Sequence, residues 1–357
     1  MKKFFTLMAV AIFSATSFAQ VRSDIQTATL IHGDQTTVFY GADAFKSAYS
    51  SAANEGDTII LSSGSFNNAD VITKSITIFG AGYETDPISG SAPTTIERID
   101  ISDIENYDEE GNKYYTYPVV RIEGIRFSKE DNSIYSYPFV VKTSRGDGIL
   151  KNLVVRKCRF LCNIAINPPS ENCMFSQCVL GHFGTLGSYF SEGLSGLHSQ
   201  LNVENCWISR SCGARIRSTI SYDHCIIQSH YSGYAHYTNC IIYDRLSDNC
   251  TANYNIFSGS MDSTVTGEGN WTNVSDTGLW EVDGETGSKY GATKTFALKF
   301  PKKYIGSDGT QVGLLGGNAP FDRISPIPRI LESNIDINAT EDGKLNVSLK
   351  VEAQTKE

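Results

Sequence analysis

Side chains suited to acid–base and anion-binding chemistry are concentrated between residues 182 and 245. Arginine can bind a carboxylate through two parallel hydrogen bonds, histidine can transfer a proton near neutral pH, and tyrosine can stack on a sugar ring. Three residues are candidate catalytic groups: Arg215, Arg217 and His198. The candidate ligand-binding residues are Arg210, Arg245, His230, His236, Tyr189, Tyr231 and Tyr234. This stretch therefore predicts contact with a polar, ring-shaped ligand.

Each of these groups also has a purely structural interpretation. The arginines can form salt bridges to Asp223, Asp244 and Asp248 on neighbouring parts of the fold. His224 occupies a repeated turn position, described below, and is interpreted as a turn residue rather than a catalyst. The acidic segment at residues 103–112 offers carboxylates to calcium but lacks fixed ligand spacing. We therefore expect a solvated loop there and predict no metal site and no cofactor, with calcium as the open alternative.

The elements that must position these groups are seven short, similar stretches of chain. They are RIEGIRF (121–127), VVRKCRF (154–160), FSQCVL (175–180), VENCWI (203–208), YDHCII (222–227), YTNCII (237–242) and NYNIFS (253–258). Aligning them gives a cysteine column that reads Ile125, Cys158, Cys178, Cys206, Cys225, Cys240 and Ile256. Since cysteine in this setting acts as a small hydrophobic residue, the column is predicted to face an apolar interior.

A second apolar strand precedes each column residue. Three positions earlier lie Ile122, Val155, Phe175, Val203, Tyr222 and Tyr237, and apolar residues recur five positions earlier. The alternation breaks one position before the column, where the residues are Gly124, Lys157, Gln177, Asn205, His224, Asn239 and Asn255. This set is rich in residues that tolerate positive φ, so the chain is predicted to turn a corner there. Strand, corner and strand in a stacked repeat predict an all-β parallel solenoid.

In these corners and interior columns the sequence resembles the right-handed parallel β-helix proteins of the pectin-lyase-like superfamily. The segments NEGDTIILSSGSF (54–66) and VITKSITIFGAG (71–82) look like the opening coil of that family, and residues 302–321 look like its closing segment. Residues 41–54 put Phe45, Ala48 and Ala52 on one helical face, which predicts an N-terminal capping helix. The resemblance implies a β-helix over residues 20–322. Residues 323–357 are predicted to form a proline linker and a C-terminal β-hairpin, or an edge strand pair along the solenoid, because apolar and polar residues alternate around the turn signal Glu341-Asp342-Gly343.

The family resemblance implies three kinds of enzyme to look for. The aspartate pair of the polygalacturonase-like hydrolases is missing, so no acid and base for hydrolysis are identified. Gly184 stands where the methylesterases carry their nucleophilic aspartate. A lyase needs a base and a cation that neutralises a uronate carboxylate, a role that Arg215 or Arg217 could fill. Whether the chain is an enzyme is therefore left open, with β-elimination on a uronate polymer as the alternative.

The N-terminus predicts export. Lys2 and Lys3 precede an apolar stretch that is too short to span a bilayer, and small residues follow it, which is typical of a signal peptide over residues 1–19. We expect a secreted, periplasmic or cell-surface protein without a membrane span. The net charge of −9 disfavours nucleic acid as a partner. Nine cysteines are an odd number, so at least one thiol is expected to be free.

These observations lead to one principal prediction and two alternatives. We predict a secreted β-helix protein that recognises extracellular polysaccharide and has no identifiable catalytic constellation. The first alternative is the uronate lyase described above, and the second is a structural surface or adhesion protein. The tyrosine content disfavours the structural alternative, because exposed tyrosines are suited to stacking on sugars.

Overall fold

The computed structural model describes residues 26–87, 90–128, 137–142, 148–183, 200–211, 219–230, 234–246, 249–335, 343–344 and 347–352. Its strands are β1 (Thr27–His32), β2 (Gln35–Tyr40), β3 (Asp57–Leu61), β4 (Gly64–Phe66), β5 (Ile76–Phe79), β6 (Thr94–Ile96), β7 (Ile99–Ile101), β8 (Ile104–Tyr107), β9 (Lys113–Thr116), β10 (Val120–Glu123), β11 (Arg126–Phe127), β12 (Phe139–Val141), β13 (Leu150–Lys151), β14 (Val154–Arg156), β15 (Arg159–Ile166), β16 (Ser170–Glu171), β17 (Cys173–Ser176), β18 (Val179–Phe183), β19 (Gln200–Glu204), β20 (Trp207–Ser211), β21 (Thr219–Asp223), β22 (Ile226–His230), β23 (Ala235–Thr238), β24 (Ile241–Ile242), β25 (Cys250–Asn253), β26 (Ile256–Phe257), β27 (Arg329–Ile335) and β28 (Val347–Glu352). One helical turn, α1 (Ala44–Ser47), continues into a π-helical turn at Ala48–Ala52, and a 3₁₀ turn spans Pro301–Lys303. Among the described residues, no helix has the length and apolar character needed to cross a membrane.

Two eleven-stranded sheets form the body of the fold. The first sheet has the order β2-β1-β3-β5-β10-β14-β17-β19-β21-β23-β25, and the second runs β26-β24-β22-β20-β18-β15-β11-β6-β4, with β12 paired to β15 and β7 paired to β12. From β3 onward every pair in the first sheet is parallel, as is every pair in the second. The chain passes from a strand of the first sheet to one of the second and then returns. The fold is therefore all-β and solenoid-like, since each pass stacks on the one before.

Cys178, Cys206, Cys225 and Cys240 lie directly over one another. The pairs Val179↔Trp207, Trp207↔Ile226 and Ile226↔Ile241 fix the register one residue beyond them. All four side chains are fully buried as free thiols. The predicted stacking of these cysteines is confirmed.

The last stretch of the alignment is one residue out of register. Ile241 pairs with Ile256, so Asn255 rather than Ile256 continues the cysteine column. Tyr254, with a φ of 55°, rather than Asn255, occupies the corner. The column then runs on to Asn270, because Trp271 bridges Ile256. The shift arises because a polar residue, Asn255, fills the column position and makes hydrogen bonds there. Matching the stretches by hydrophobicity places the neighbouring Ile256 in the column instead.

The thiols donate hydrogen bonds as well as filling space. Cys240 Sγ lies 3.0 Å from the carbonyl oxygen of Thr238 in its own coil and 3.5 Å from that of Tyr222, on the preceding strand of the first sheet. Asn255 Nδ2 donates at 3.0 Å to the equivalent carbonyl of Tyr237. A column of buried side chains therefore satisfies one carbonyl per coil, which limits the polar groups left without partners in the core.

The corner residues adopt the predicted left-handed backbone but do not point into solvent. Positive φ values occur at Gly124, Lys157, Gln177, Asn205, His224 and Asn239. We call residues 271–326 the covering segment, because they fold back over these corners. Asn205 Nδ2 donates to the carbonyl oxygens of Leu314 and Gly316, at 2.9 and 2.8 Å. Along the preceding corners, Gln177 Nε2 donates to the Pro320 carbonyl and Lys157 Nζ donates to Asp322 Oδ2. Gly124 lies against the ring of Pro326.

The covering segment also creates a second apolar core. Five outward side chains of the second sheet, on β18, β20, β22, β24 and β26, are apolar and buried beneath it: Val179, Trp207, Ile226, Ile241 and Ile256. They pack with Leu279, Trp280, Phe296, Leu298, Tyr304, Val312, Leu314 and Phe321. At these positions the second sheet is therefore buried on both faces, which explains the apolar runs that begin these strands.

Smaller elements lie at the ends and on the surface. Ala44 and Phe45 of α1 are buried against the first coil. Residues 103–112, expected to be a solvated loop, contribute β8 and the turn that leads to β9. Strands β27 and β28 pair antiparallel, with Ile335 opposite Val347. Ser325, at the start of the segment predicted as a linker, is buried beside the coils.

Candidate functional site

The outward face of the first sheet over its last four strands is polar and at least partly exposed. We call it the open face, and its residues alternate along β19, β21, β23 and β25 with buried apolar ones. Its members are Gln200, Asn202, Glu204, Ser221, Asp223, Tyr234, His236, Thr238, Thr251 and Asn253. The other face of these four strands is packed in the core, so their accessible side chains are those of the open face.

Parallel pairing arranges the open face in rows. One row reads Asn202, Ser221, His236 and Thr251, and the next reads Glu204, Asp223, Thr238 and Asn253. Neighbouring strands in a sheet lie ~4.8 Å apart, so each row presents a hydrogen-bonding side chain at that interval. Such a repeat suits a ligand that is itself a chain of similar polar units.

Glu204 and Asp223 form a pair of adjacent carboxyl groups on this face. They are partners in register, and both side chains are partly exposed. Burial and then the charge of Asp223 raise the pKa of Glu204, and burial raises the pKa of Asp223. Asp223 Oδ1 accepts a hydrogen bond from Asn239 Nδ2 at 3.0 Å. Glu204 has no side-chain hydrogen bond or ion pair to any other residue in the described ranges.

Two further groups lie on the open face away from this row: His236 is in the adjacent row, and Tyr234 is four residues before Thr238, the strand partner of Asp223. Tyr234 is 43% exposed, so its ring is available for stacking. His236 is exposed, and its Nδ1 is hydrogen-bonded to Thr251 Oγ1 on the next strand. The open face therefore carries an aromatic ring, an imidazole, two carboxyl groups and several amides and hydroxyls in different rows.

The structure places only two described candidate residues, Tyr234 and His236, on the open face. Arg210 is exposed on β20 of the second sheet, and Arg245 is exposed in the turn after β24. His230 points inward from β22. The described candidates therefore lie on different faces and do not converge on one site.

His230 belongs to a buried hydrogen-bond cluster. Its Nδ1 lies 2.8 Å from Tyr237 Oη and 3.3 Å from Ser211 Oγ, and its Nε2 lies 3.6 Å from Cys250 Sγ. Burial lowers the pKa of His230 to about 4, against a smaller opposing effect of Asp244. A neutral imidazole enclosed in this way stabilises the core and does not face the open face.

Several predicted residues lie outside the described ranges. These are Arg215, Arg217, His198, Tyr189, Tyr231, Asp248 and the whole of the predicted signal peptide. Their roles stay predictions. The candidate calcium ligands are described: Asp103 is buried, and Asp108 accepts hydrogen bonds from the backbone of Glu110 and Asn112 in the turn between β8 and β9. Across the described ranges, no group of three or more histidine, cysteine, aspartate or glutamate residues is placed to hold a metal ion.

The Glu204–Asp223 pair was missed at the level of sequence. The alignment nevertheless contained the signal, because both residues stand two positions before the cysteine column. Side chains at one position of successive coils are neighbours, so two acidic residues there had to lie side by side. Glu204 and Asp223 form no motif in the sequence, because they become neighbours only when the coils stack.

Comparison with known proteins adds no assignment to this geometry: no family model, no curated protein and no solved structure matches the chain.

Proposed function

We propose that the protein binds extracellular polysaccharide along the open face. The observation that carries this proposal is the register of the face, in which hydrogen-bonding side chains recur on successive strands beside the exposed ring of Tyr234. Sugar recognition in proteins combines stacking on the apolar face of a ring with hydrogen bonds to its hydroxyls. A repeating ligand would meet equivalent groups at each strand.

The proposal includes a closed, right-handed parallel β-helix exported by residues 1–19. The stacked parallel sheets and the corner backbone support the closed coil, and the contacts of Phe45 with the core support a capping role for α1. The apolar stretch after Lys2 and Lys3 supports export. In this arrangement the β27–β28 pair forms the C-terminal hairpin.

The proposal is binding, and it assigns no proton donor and no ionised base to Glu204 and Asp223, since burial raises the pKa of both carboxyl groups. The uronate-lyase alternative rests on Arg215 or Arg217, and the test is formation of unsaturated product, measured by ultraviolet absorbance, with variants of both arginines.

The experiment is affinity electrophoresis of the mature chain in gels that contain neutral, acidic or amino-bearing polysaccharides. The matched variants are Tyr234→Ala on the open face and Tyr107→Ala on β8, which removes a 62% exposed tyrosine from another surface. We expect at least one polysaccharide to retard the wild type. Tyr234→Ala should weaken that retardation about three- to tenfold, the loss of one stacking contact, and Tyr107→Ala should not. If the wild type migrates in every polysaccharide gel as it does in a gel without polysaccharide, the proposal is wrong.

A further inference from the structure

The residues of the open face, as defined above, include no lysine or arginine. The carboxyl groups of the face, Glu204 and Asp223, are partners in register. His224 Nε2 lies 3.9 Å from Asp223 Oδ1, but this imidazole is buried and lies closer to Asp308 Oδ2, at 3.1 Å. A ligand on the open face therefore meets carboxyl groups, amides, hydroxyls and aromatic rings, and it meets no guanidinium or ammonium group of that face.

Two arginines on the outward side of the same sheet lie on earlier strands and have partners within the protein. Arg121 on β10 pairs with Glu123 at 2.9 Å, and Arg156 Nη2 on β14 donates to Gln177 Oε1 at 3.3 Å. Recognition of an acidic glycan relies on arginine or lysine placed against its carboxylate or sulfate groups. On the open face a polyuronate would instead place its carboxylates beside those of the protein, which weakens binding. The charge of the face therefore favours an uncharged ligand over a polyuronate.

One row of the open face is continuous in register across four strands. Its members, in order, are Asn202, Ser221, His236 and Thr251. Thr266 bridges Thr251 and extends the row by one coil. In the other direction the row passes to Met174 on β17 and then to Val154 on β14, neither of which offers a side-chain donor. The hydrogen-bonding part of the row therefore has a definite beginning, at Asn202.

The spacing of this row suits an extended glycan that crosses the strands. A pyranose in an extended, β-1,4-linked chain advances the chain by a distance close to the ~4.8 Å between strands. Successive sugars can then contact successive strands of the row. A helical, α-1,4-linked glucan curves away from a straight row, so it contacts fewer strands at once.

We infer that the open face binds an uncharged, extended polysaccharide whose chain lies along the row from Asn202 to Thr251, across the strands. This inference rests on the proposed function and names its ligand class. The amide of Asn202 and the hydroxyls of Ser221 and Thr251 bind hydroxyl groups of successive sugars. The carboxyl groups of the neighbouring row select against polyuronates.

The test is isothermal titration at pH 8, where imidazole side chains carry little charge. The ligands are three uncharged extended hexamers (cellohexaose, mannohexaose and xylohexaose), the helical maltohexaose and the acidic hexagalacturonate. The proteins are the wild type, Asn202→Ala and Thr251→Val on the row, and the control Thr36→Val, which removes an exposed hydroxyl from β2. Asn202 and Thr251 lie three strand spacings, or ~14 Å, apart, so a chain that follows one strand cannot contact both.

We expect one of the three extended hexamers to bind most tightly. Asn202→Ala and Thr251→Val should each weaken that binding about three- to tenfold, the loss of one hydrogen bond, and Thr36→Val should leave it unchanged. Unfolding midpoints of the variants within a degree of the wild type establish that they are folded.

Three outcomes would overturn the inference while leaving polysaccharide binding intact. They are tightest binding of hexagalacturonate or maltohexaose, retained affinity in Asn202→Ala or in Thr251→Val, and an equal loss in Thr36→Val. If none of the hexamers binds but a polysaccharide gel retards the wild type and Tyr234→Ala weakens that retardation, the inference fails and the proposed function stands. If no polysaccharide retards the wild type, both fail.

Discussion

The backbone N–H of Cys240 donates to Oδ1 of Asn255 at 2.7 Å, in the position where the N–H of Cys225 donates to Sγ of Cys240 at 3.4 Å. Thiol and amide thus occupy equivalent places in one column: each accepts from the N–H of the preceding coil, and each has a carbonyl of that coil within hydrogen-bond distance of its donor, at 3.5 Å for the thiol and 3.0 Å for the amide. The cysteines are therefore one chemical form of an interior hydrogen-bonding column whose other form is asparagine.

Cys240→Asn is expected to keep the free energy of unfolding within about 1 kcal/mol of the wild type, because asparagine can repeat both hydrogen bonds. Cys240→Val keeps the apolar character but leaves the Cys225 N–H without its acceptor and removes the thiol donor beside the Thr238 and Tyr222 carbonyls, and should cost about 1–3 kcal/mol. Urea unfolding followed by circular dichroism gives both values. Greater stability of the valine variant than of the asparagine variant would show that the column is only a hydrophobic contact.

Asn205→Ala is expected to destabilise the protein by about 2 kcal/mol or more. The corner residue is buried, and its loss leaves the carbonyls of Leu314 and Gly316 without donors, which loosens the covering segment. Asn202→Ala, on the same strand but exposed, should change the unfolding free energy by less than about 0.5 kcal/mol and act on ligand binding instead. Limited proteolysis should cut the covering segment faster in Asn205→Ala. Similar stability of the two variants would contradict the buried assignment of the corner.

Gly316→Ala is expected to be strongly destabilising. A Cβ at this position would lie 1.7 Å from the carbonyl oxygen of Gln311 and 2.5 Å from His224 Nδ1, so the covering segment could not stay seated on its corner. Gly259→Ala is the control, since a Cβ there meets nothing within 4 Å. The thermal midpoint should fall by several degrees in the first variant and stay level or rise slightly in the second. Equal midpoints would mean that residue 316 does not approach His224.

The pH dependence of stability should report the buried state of His230. Its folded pKa of about 4 lies below the ordinary 6.5, so between these values the unfolded chain binds a proton that the folded chain does not. Stability should therefore fall by up to about 3 kcal/mol as the pH drops from 6.5 towards 4, with no contribution from this group above 6.5. Glu204 and Asp223, whose pKa values are raised, act with the opposite sign as the pH falls.

The contribution of His230 is therefore obtained by subtracting the pH dependence of the unfolding free energy of His230→Gln from that of the wild type. His230→Gln should lose the acid-side slope relative to the wild type, and the exposed control His236→Gln should retain it. Chemical unfolding at pH values from 4 to 7.5 gives both curves. An unchanged slope in His230→Gln would show that the imidazole is not held neutral in the core.

The repeat was readable from the sequence because stacking places equal residues at equal positions. Cys178, Cys206 and Cys225 share an environment, so their identity and spacing predicted both strands and the turn. The error at Asn255 arose because hydrophobicity and hydrogen bonding select different residues for the same place. Pattern alone cannot distinguish these two requirements when cysteine satisfies both.

The covering segment could not be predicted in the same way. Its contacts join residues far apart in the chain, such as Asn205 with Leu314 and Trp207 Nε1 with the Gly287 carbonyl. No repeat relates the two partners, so their pairing follows from the fold and not from local spacing. The apolar residue after Cys178, Cys206, Cys225 and Cys240 was the available signal that the second sheet is buried on both faces at those positions. Chemical type alone does not show which way a side chain points. The stacked coils therefore place His236 on the open face, Arg210 on the second sheet and His230 in the core.

The central claim, that ligand binding takes place on the open face, is tested most directly by comparing variants on different surfaces. Isothermal titration uses the oligosaccharide that the wild type binds most tightly, with His236→Ala and Tyr234→Ala on the open face and Arg210→Ala and Arg245→Ala elsewhere. The account predicts a loss of about tenfold in the first two variants and unchanged affinity in the second two. Retained affinity in both open-face variants, with a loss in the arginine variants, would contradict it.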